Sequence, residues 1–427
     1  MTIKQFNNQP RTAILHYTAP PVIGGVEAVI QAHCEVFRHH HLPVTVIAGR
    51  GEASSLPRGA DFERIEILDT LHPQVLEISV KLDQGQVPEG FESFTQEISE
   101  ILAPILGKFD NLIVHNIFSK HFHIPLTAAL FRLLDQGIIC HCIAWGHDFT
   151  WTSPNSCTKV HPGYPWDLLR KYDSRITYVT VSQERRKALA ELLGQPQSMI
   201  RLVYNGVDPI TLLGISKEGE KIIRKLGLLN SELNLLMPVR VTQAKNIEYA
   251  LKLLAALKAH GIRPKLIHTG PPDPHDPKSM AYFASLQDLR HQLGLDDEVH
   301  FIFESGPDRD QPYTIGPEVV GDLYRISDLM LMPSHREGFG MPVLEAGMAG
   351  IPAICTPQVP AAVEIGGSEV TLFNSTEDPD RLASQLMSWI QNNTEYLFRR
   401  RVRLNYTWEA IFNQEILPLL KPAPKQL

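Results

Sequence analysis

The feature that most constrains the fold is an alternation of short apolar β-type runs with helical stretches, repeated in two series. This alternation is typical of parallel α/β folds, in which a helix returns the chain between neighbouring strands. The runs of the first series lie at 12–18, 44–48, 111–116, 138–145, 177–182 and 201–208. Those of the second lie at 233–239, 265–270, 299–303, 329–333 and 351–356. Each series therefore predicts one doubly wound, Rossmann-like sheet.

The length of the chain also indicates more than one domain. Single cores stop growing well below 427 residues. The dipeptide Asn205–Gly206 marks a turn between the two series, because Asn-Gly favours tight turns. We therefore predict an N-terminal domain at 1–207 and a C-terminal domain that begins at 208.

Composition excludes several classes of protein. The net charge of −7 predicts no strong field for nucleic acid. No run of about 18 apolar residues occurs, which predicts no membrane span but leaves open a peripheral membrane contact. An odd number of cysteines, five, does not indicate a disulfide framework, so a reducing cytoplasm is expected. A basic run at Arg399, Arg400, Arg401 and Arg403 is interpreted as a solvated helix face, with a phosphate or lipid contact as the alternative.

The segment 333–352 has the features of a binding site for phosphate and sugar groups. A β-type run precedes it, and Pro342 suits the first turn of the helix that follows. Gly338 and Gly340 leave the backbone open just before this helix, where amide groups and the helix dipole favour an anion. Glu337 lies in the loop and Glu345 about one turn inside the helix, so the two carboxylates can face one crevice.

A second segment supplies positive charge. Arg240 and Lys245 follow a β-type run and precede a helix. Two cations at the carboxyl end of a strand can neutralise a diphosphate without a metal. Considered alone, this pair is weak evidence, because a solvated pair of cations has the same spacing.

These two segments together resemble family 4 of the retaining glycosyltransferases, which have the two-domain GT-B fold. Glu337 and Glu345 match its E-x7-E signature, and 238–246 is similar to its strand-R-x4-K-N element, with Val239 where a glycine is usual. The resemblance implies that Glu337 contacts the donor sugar and that Glu345 hydrogen-bonds the nucleotide ribose. It also implies that Arg240 and Lys245 bind the diphosphate, and that the backbone amides of Gly338, Phe339 and Gly340 contact sugar or phosphate.

The first series contains further candidates. Gly24 and Gly25 follow the first β-type run and resemble the family's glycine-rich loop at the diphosphate, although a simple tight turn explains them equally well. His147 follows another apolar run and is the best match to a family histidine that touches the sugar. Asp148 and His115 are weaker acceptor-side candidates. For His147 a purely structural role at a strand end stays open.

The resemblance covers nearly the whole chain and implies a specific organisation. It makes 1–207 an acceptor-side domain, 208–403 a nucleotide-sugar-binding domain, and 404–427 a terminal helix that returns to the first domain, with a central cleft between the two domains. The implied reaction is the metal-independent, retaining transfer of a hexose from a donor such as UDP-glucose or GDP-mannose to an acceptor hydroxyl. The sequence does not identify the donor base, the donor sugar or the role of the loop 270–280. The acceptor stays open between a small polar molecule, a glycan and a lipid-linked sugar.

Several alternatives remain at this stage. The chain could instead be a glycoside phosphorylase on the same fold, a non-catalytic nucleotide-sugar-binding protein, or an epimerase, which the glutamate spacing disfavours. Cys140, Cys142, Cys157 and His161 have loosely zinc-like spacing but are interpreted as core and loop residues. The DxD at 308–310 lies in a polar loop without a supporting context, and we interpret it as coincidental.

Overall fold

The computed structural model describes residues 9–273, 275–306 and 311–420. It divides the chain into two compact units, of which the second is Val207–Thr407. The first unit takes in the chain up to Gly206 and again from Trp408. The DxD at 308–310 and part of the loop 270–280 lie outside the described residues.

The first unit is built around a parallel sheet of seven strands within the described ranges. The strands are β1 Thr12–Thr18, β2 Val44–Arg50, β3 Ala60–Arg64, β4 Asn111–His115, β5 Cys142–Gly146, β6 Ile176–Thr180 and β7 Ile200–Leu202. The helices are α1 Gly25–His39, α2 Pro73–Asp83, α3 Phe91–Leu106, α4 Ile124–Asp135 and α5 Gln183–Leu193. The strand order is β3-β2-β1-β4-β5-β6-β7, so the chain reverses its direction of travel across the sheet between β1 and β4.

Burial explains why these segments take these forms. Every residue of β1 is buried, as expected for a central parallel strand covered on both faces. Helix α1 buries the side of its surface that carries Val29, Ile30, His33 and Phe37, and these residues recur at helical spacing.

The second unit contains a parallel sheet of six strands among its described residues. The strands are β8 Leu233–Met237, β9 Pro264–His268, β10 Val299–Phe301, β11 Leu329–Met332, β12 Ala353–Cys355 and β13 Thr371–Leu372. The helices are α6 Pro209–Leu212, α7 Lys217–Lys225, α8 Ile247–Ala259, α9 Ser279–Gln292, α10 Pro317–Ile326, α11 Met341–Ala349, α12 Pro360–Glu364, α13 Pro379–Asn392 and α14 Thr394–Asn405. The strand order is β10-β9-β8-β11-β12-β13, which puts the reversal between β8 and β11. The prediction of two doubly wound α/β sheets is confirmed.

The end of the chain differs in one detail from the sequence-based expectation. The final helix, expected at 404–427, does not begin there: α14 ends at Asn405, and a separate short helix, α15, spans Trp408–Ile411. The segment that follows α15 packs on the core of the first unit, where the rings of Phe37 and Phe412 lie 5.3 Å apart.

The basic run on α14 is not a solvated face, so that interpretation was wrong. Arg403 is buried and donates to both carboxylate oxygens of Asp328, at 2.8 Å each. Arg399 donates to the carbonyl of Ser327 at 3.0 Å, and Arg400 pairs with Glu232. Of the four arginines, Arg401 is the exposed one. The run therefore holds α14 against the strand ends of its own unit.

Candidate active site

The point at which a doubly wound sheet reverses its strand order is where such folds bind ligands, at the carboxyl ends of the strands. In the second unit this point is the gap between β8 and β11. The loop after β8 carries Arg240 and Lys245, and the loop after β11 carries Glu337. The fold thus brings together three residues that the sequence analysis selected from separate segments.

Direct contacts tie these two loops together. The amide of His335 donates to the carbonyl of Ala244 at 2.8 Å. Lys245 forms an ion pair with Glu337, and both side chains are largely shielded from solvent. The ammonium and the carboxylate therefore neutralise each other, and an anionic ligand of Lys245 would have to share it with Glu337.

Arg240 is more available than Lys245. Its guanidinium lies 3.9 Å from the carboxylate of Asp273, and 60% of its side chain is exposed. An ion pair this long and this exposed is weak. The loop that carries Asp273 is held against the end of β8, because the amide of Val241 donates to the carbonyl of Pro271 at 3.0 Å.

The turn between β11 and α11 depends on a glycine. Gly340 has a φ of 98° and precedes the first residue of α11. A Cβ at this position would lie 2.4 Å from Cγ1 of Val359, so a side chain is excluded by both conformation and space. The amide of Gly338 is taken by the carboxylate of Glu337 at 3.1 Å, whereas the amides of Phe339 and Gly340 have no acceptor among the described residues. These two amides stand at a helix N-terminus, where backbone N–H groups favour an anion.

Glu345 has a partner that the sequence did not reveal. The hydroxyl of Tyr324, on α10, donates to Oε2 of Glu345 at 2.7 Å. Burial and this carboxylate raise the pKa of Tyr324, so the phenol stays protonated and remains a donor. Glu345 itself is exposed. One carboxylate oxygen is thus held from within the unit while the carboxylate stays accessible to a ligand.

The corresponding reversal in the first unit, between β1 and β4, gathers histidines. His115 ends β4, and His147 follows β5. Nδ1 of His115 lies 3.0 Å from Nε2 of His147, so the two candidates are directly joined. His115 is completely buried, which leaves no surface for the direct acceptor contact that the sequence suggested.

The other candidates of the first unit have local partners. Asp148 accepts a hydrogen bond from Lys120 at 2.9 Å and lies 3.3 Å from Arg185. Burial works to raise the pKa of Asp148, but Lys120, a backbone amide and Arg185 outweigh it, and the pKa lies below its usual value. Gly24 caps the N-terminus of α1, and a Cβ there would lie 2.1 Å from the carboxylate of Glu27. Gly25 has open space around it.

The zinc alternative has no structural support. Cys142 is buried in β5, and burial raises the pKa of its thiol, whereas Cys140 and Cys157 are exposed. His161 contacts the carbonyl of Asp83. Over the ranges that the structure covers, no three His, Cys, Asp or Glu side chains are grouped to hold a metal ion. Over the same ranges, no helix has both the length and the apolar character that crossing a bilayer requires.

Comparison with known proteins gives one family match and several related sequences. Residues 218–406, nearly the whole second unit, match the family model of glycosyl transferases group 1. An uncharacterized glycosyltransferase of Methanocaldococcus jannaschii is 28% identical over 265 residues, which is 58% of this chain and 61% of that protein. A D-inositol 3-phosphate glycosyltransferase of Thermobispora bispora is 30% identical over 49% of each chain. The chain thus spans between about half and three fifths of these two relatives.

Among solved structures, sucrose-phosphate synthase from Thermosynechococcus elongatus aligns over 96% of this chain and 98% of its own. The identity is 15% and the TM-score 0.37, too low to carry an argument about fold or function. The assignment therefore rests on the sequence of the second unit. Residues 218–406, which are less than half of the chain, resemble the glycosyl transferases group 1 family.

Proposed function

We propose that the chain is a cytoplasmic, retaining glycosyltransferase that moves a hexose from a nucleotide-diphosphate sugar to an acceptor hydroxyl. One observation carries the proposal. Arg240, Lys245 and Glu337 stand at the carboxyl ends of two adjacent strands, at the reversal of the sheet, within the segment that matches group 1 glycosyltransferases. Two cations beside a carboxylate suit a ligand that has a diphosphate at one end and hydroxyl groups at the other.

The proposed chemistry needs no metal and no protein nucleophile. The acceptor oxygen bonds to the anomeric carbon on the face from which the phosphate leaves, the bond from that carbon to the phosphate oxygen breaks, and the leaving phosphate takes the acceptor proton. Negative charge grows on the diphosphate during this step. Arg240, Lys245 and the amides of Phe339 and Gly340 would stabilise that charge in the transition state.

The remaining residues have proposed roles in binding. Glu337 would contact hydroxyl groups of the sugar, and Glu345 would accept hydrogen bonds from the ribose. In the first unit, His147 would contact a substrate hydroxyl, Asp148 stays an acceptor-side candidate, and Gly24 and Gly25 stay candidates for the approach of the diphosphate.

The direct test is to incubate the protein with each common nucleotide sugar and a panel of acceptors. The panel should include D-inositol 3-phosphate, the acceptor named for one relative, together with simple sugars and a lipid-linked sugar. We expect release of nucleoside diphosphate that depends on acceptor and persists in EDTA, and a product that keeps the anomeric configuration of the donor. Release of sugar 1-phosphate would instead indicate a phosphorylase, and donor binding without turnover would indicate a non-catalytic binder.

Tyr324→Phe tests the role of Glu345. Removing the hydroxyl frees the carboxylate that Tyr324 holds at 2.7 Å. We expect about five- to tenfold weaker binding of the preferred nucleoside diphosphate, about 1 to 1.4 kcal/mol, measured by calorimetry. The penalty for removing a ribose hydroxyl from the ligand should also shrink, because the carboxylate that recognises it is no longer held.

A matched control for this variant is Tyr313→Phe, which removes another tyrosine–carboxylate contact of the same unit, to Glu218. Its binding of nucleoside diphosphate should equal that of the wild type. Equal discrimination between ribo- and deoxyribonucleotides in Tyr324→Phe and the wild type would contradict the proposed role of Glu345.

A further inference from the structure

Four histidines cluster at the carboxyl edge of the first unit's sheet, and the proposed reaction uses one of them. His16 lies on β1, His33 on α1, His115 at the end of β4 and His147 just after β5. The ring of His115 is 5.5 Å from that of His33 and 5.3 Å from that of His147, measured between centroids. Three of the four are buried, and only His147 is partly exposed. A ligand that meets this cluster therefore meets His147.

His33, His115 and His147 are electrically neutral at neutral pH. Burial, reinforced by the neighbouring histidines, lowers the pKa of His115 well below its ordinary value. Burial likewise lowers the pKa of His33 to about 3 and that of His147 to about 4. At neutral pH each ring therefore carries one N–H, and hydrogen bonding decides which nitrogen carries it.

The surroundings of His115 determine the position of its proton. Its Nδ1 lies 3.0 Å from Nε2 of His147, whereas its Nε2 is buried and has no hydrogen-bond partner among the described residues. A proton on Nε2 would be a buried N–H without an acceptor, which costs about 1–3 kcal/mol. A proton on Nδ1 can be donated to His147. The tautomer of His115 with its proton on Nδ1 is therefore the more stable one.

We infer that His115 donates its Nδ1–H to Nε2 of His147 and thereby fixes His147 in the tautomer that carries its own proton on Nδ1. With Nε2 occupied as an acceptor, His147 offers a ligand one group, the Nδ1–H. No acceptor for this N–H exists among the residues that the structure describes. His147 is then a hydrogen-bond donor and not a base, and His115 is the residue that positions it.

Two further contacts hold the pair in place. The amide of His147 donates to Oδ1 of Asn116 at 2.9 Å, which fixes the backbone from which the ring projects. Nδ1 of His16 lies 2.9 Å from the carbonyl oxygen of His115, which can only accept, so His16 also carries its proton on Nδ1.

This inference deepens the proposed function and rests on it for one step, namely that the group facing the Nδ1–H is a hydroxyl of the sugar or the acceptor. Such a hydroxyl would accept a hydrogen bond from His147 and would have to lose its own proton elsewhere. The tautomer itself is a property of the unliganded chain. It can be measured even if no nucleotide sugar is turned over, so the two ideas can fail separately.

The experiment is ring-nitrogen NMR of the full chain labelled with ¹⁵N-histidine, at pH 7. The signals of His147 are assigned by their loss in a His147 variant. We expect a protonated Nδ1 and an unprotonated Nε2 in the wild type. His115→Phe, which removes the donor, should give a mixture of tautomers at His147, whereas His115→Asn, which keeps an N–H near the position of Nδ1, should preserve the wild-type pattern.

The inference is overturned if His147 carries its proton on Nε2 in the wild type, or if His115→Phe leaves the pattern unchanged. The wild-type spectrum decides even if the phenylalanine variant does not fold, since the tautomer of the native chain is read directly. Folding of each variant is checked by its thermal unfolding transition.

A second readout compares two short side chains at position 147. Asparagine places an N–H donor close to where Nδ1 lies, and aspartate places only acceptors there; both lose the contact with His115 equally. We expect turnover of His147→Asn to exceed that of His147→Asp by about tenfold or more. Faster turnover by the aspartate variant would indicate a base at this position and would contradict the assignment.

Discussion

Replacing Arg240 by alanine is expected to lower the turnover of the nucleotide sugar about 10²- to 10³-fold, the range found when one fixed donor to a developing charge is removed. The side chain is 60% exposed, and the ion pair that it forms with Asp273 is long. Because it packs little, its loss should change the free energy of unfolding by no more than about 0.5 kcal/mol. Steady-state release of nucleoside diphosphate, together with urea unfolding, measures both effects.

Arg263→Ala is the matched control. Arg263 is also an exposed arginine of the second unit, 71% accessible, and it also pairs with a carboxylate, Glu232, at 3.5 Å. It precedes β9, however, and so stands at the amino end of the sheet, away from the reversal between β8 and β11. Arg263→Ala should turn over donor at the wild-type rate.

A lysine at position 240 gives an intermediate case. It keeps the charge but loses the planar fork that can bind two phosphate oxygens at once, so turnover should fall between that of the wild type and that of the alanine variant. Wild-type turnover by Arg240→Ala, or an equal loss in Arg263→Ala, would remove the diphosphate role of Arg240.

The strands that lie deep in each sheet could be predicted from the sequence because burial on both faces produces continuous apolar runs. The run 12–18 and the strand β1 coincide, and all seven residues are buried. The strand β3 was missed. Its sequence, Ala60–Arg64, is largely polar, and it lies at the edge of the sheet, where partial exposure removes the apolar signal. The strand β13 is an exposed pair of residues and gives no signal at all.

In the candidate site, too, features within one sequence segment could be predicted, whereas contacts between distant segments could not. The sequence allowed us to select Glu337, Gly340 and Glu345 because a strand, a turn and the start of a helix follow each other within one segment. The side chains that contact these site residues could not be predicted from the sequence. Tyr324 precedes Glu345 by 21 residues on another helix, and Asp273 lies 33 residues from Arg240. Such pairs are created by the order of strands in the sheet, which local patterns do not encode.

The sequence gives only a weak indication of the histidine cluster. His115 and His147 each end an apolar run, and parallel strands end at the same edge of a sheet, so their proximity follows once β4 and β5 are neighbours. What the sequence could not supply is burial. A buried imidazole and an exposed one look alike in a sequence, yet burial changes His115 from an acceptor-side candidate to a positioning residue.

The arginine run on α14 leads to the second large effect. Replacing Arg403 by methionine is expected to lower the free energy of unfolding of the second unit by about 3–5 kcal/mol, because the buried carboxylate of Asp328 loses its two-contact partner and retains Arg399 at 4.0 Å and the amide of Asn234. Arg403 makes two 2.8 Å contacts with Asp328 and also donates to the carbonyls of Ser231 and Glu232. The side chain of Asp328 is fully buried, so water cannot replace the lost partner.

Arg401→Met controls for the loss of one positive charge from the same helix, since Arg401 is exposed. It should change the free energy of unfolding by less than about 0.5 kcal/mol.

The chain has two units, so the urea transition of the second unit must be followed separately, for example by its protection against proteolysis. Adding Asp328→Asn to Arg403→Met should recover part of the lost stability, since no buried carboxylate then lacks its two-contact partner. If Arg403→Met is no less stable than Arg401→Met, the ion pair between α14 and the start of β11 does not stabilise the unit that carries the candidate site.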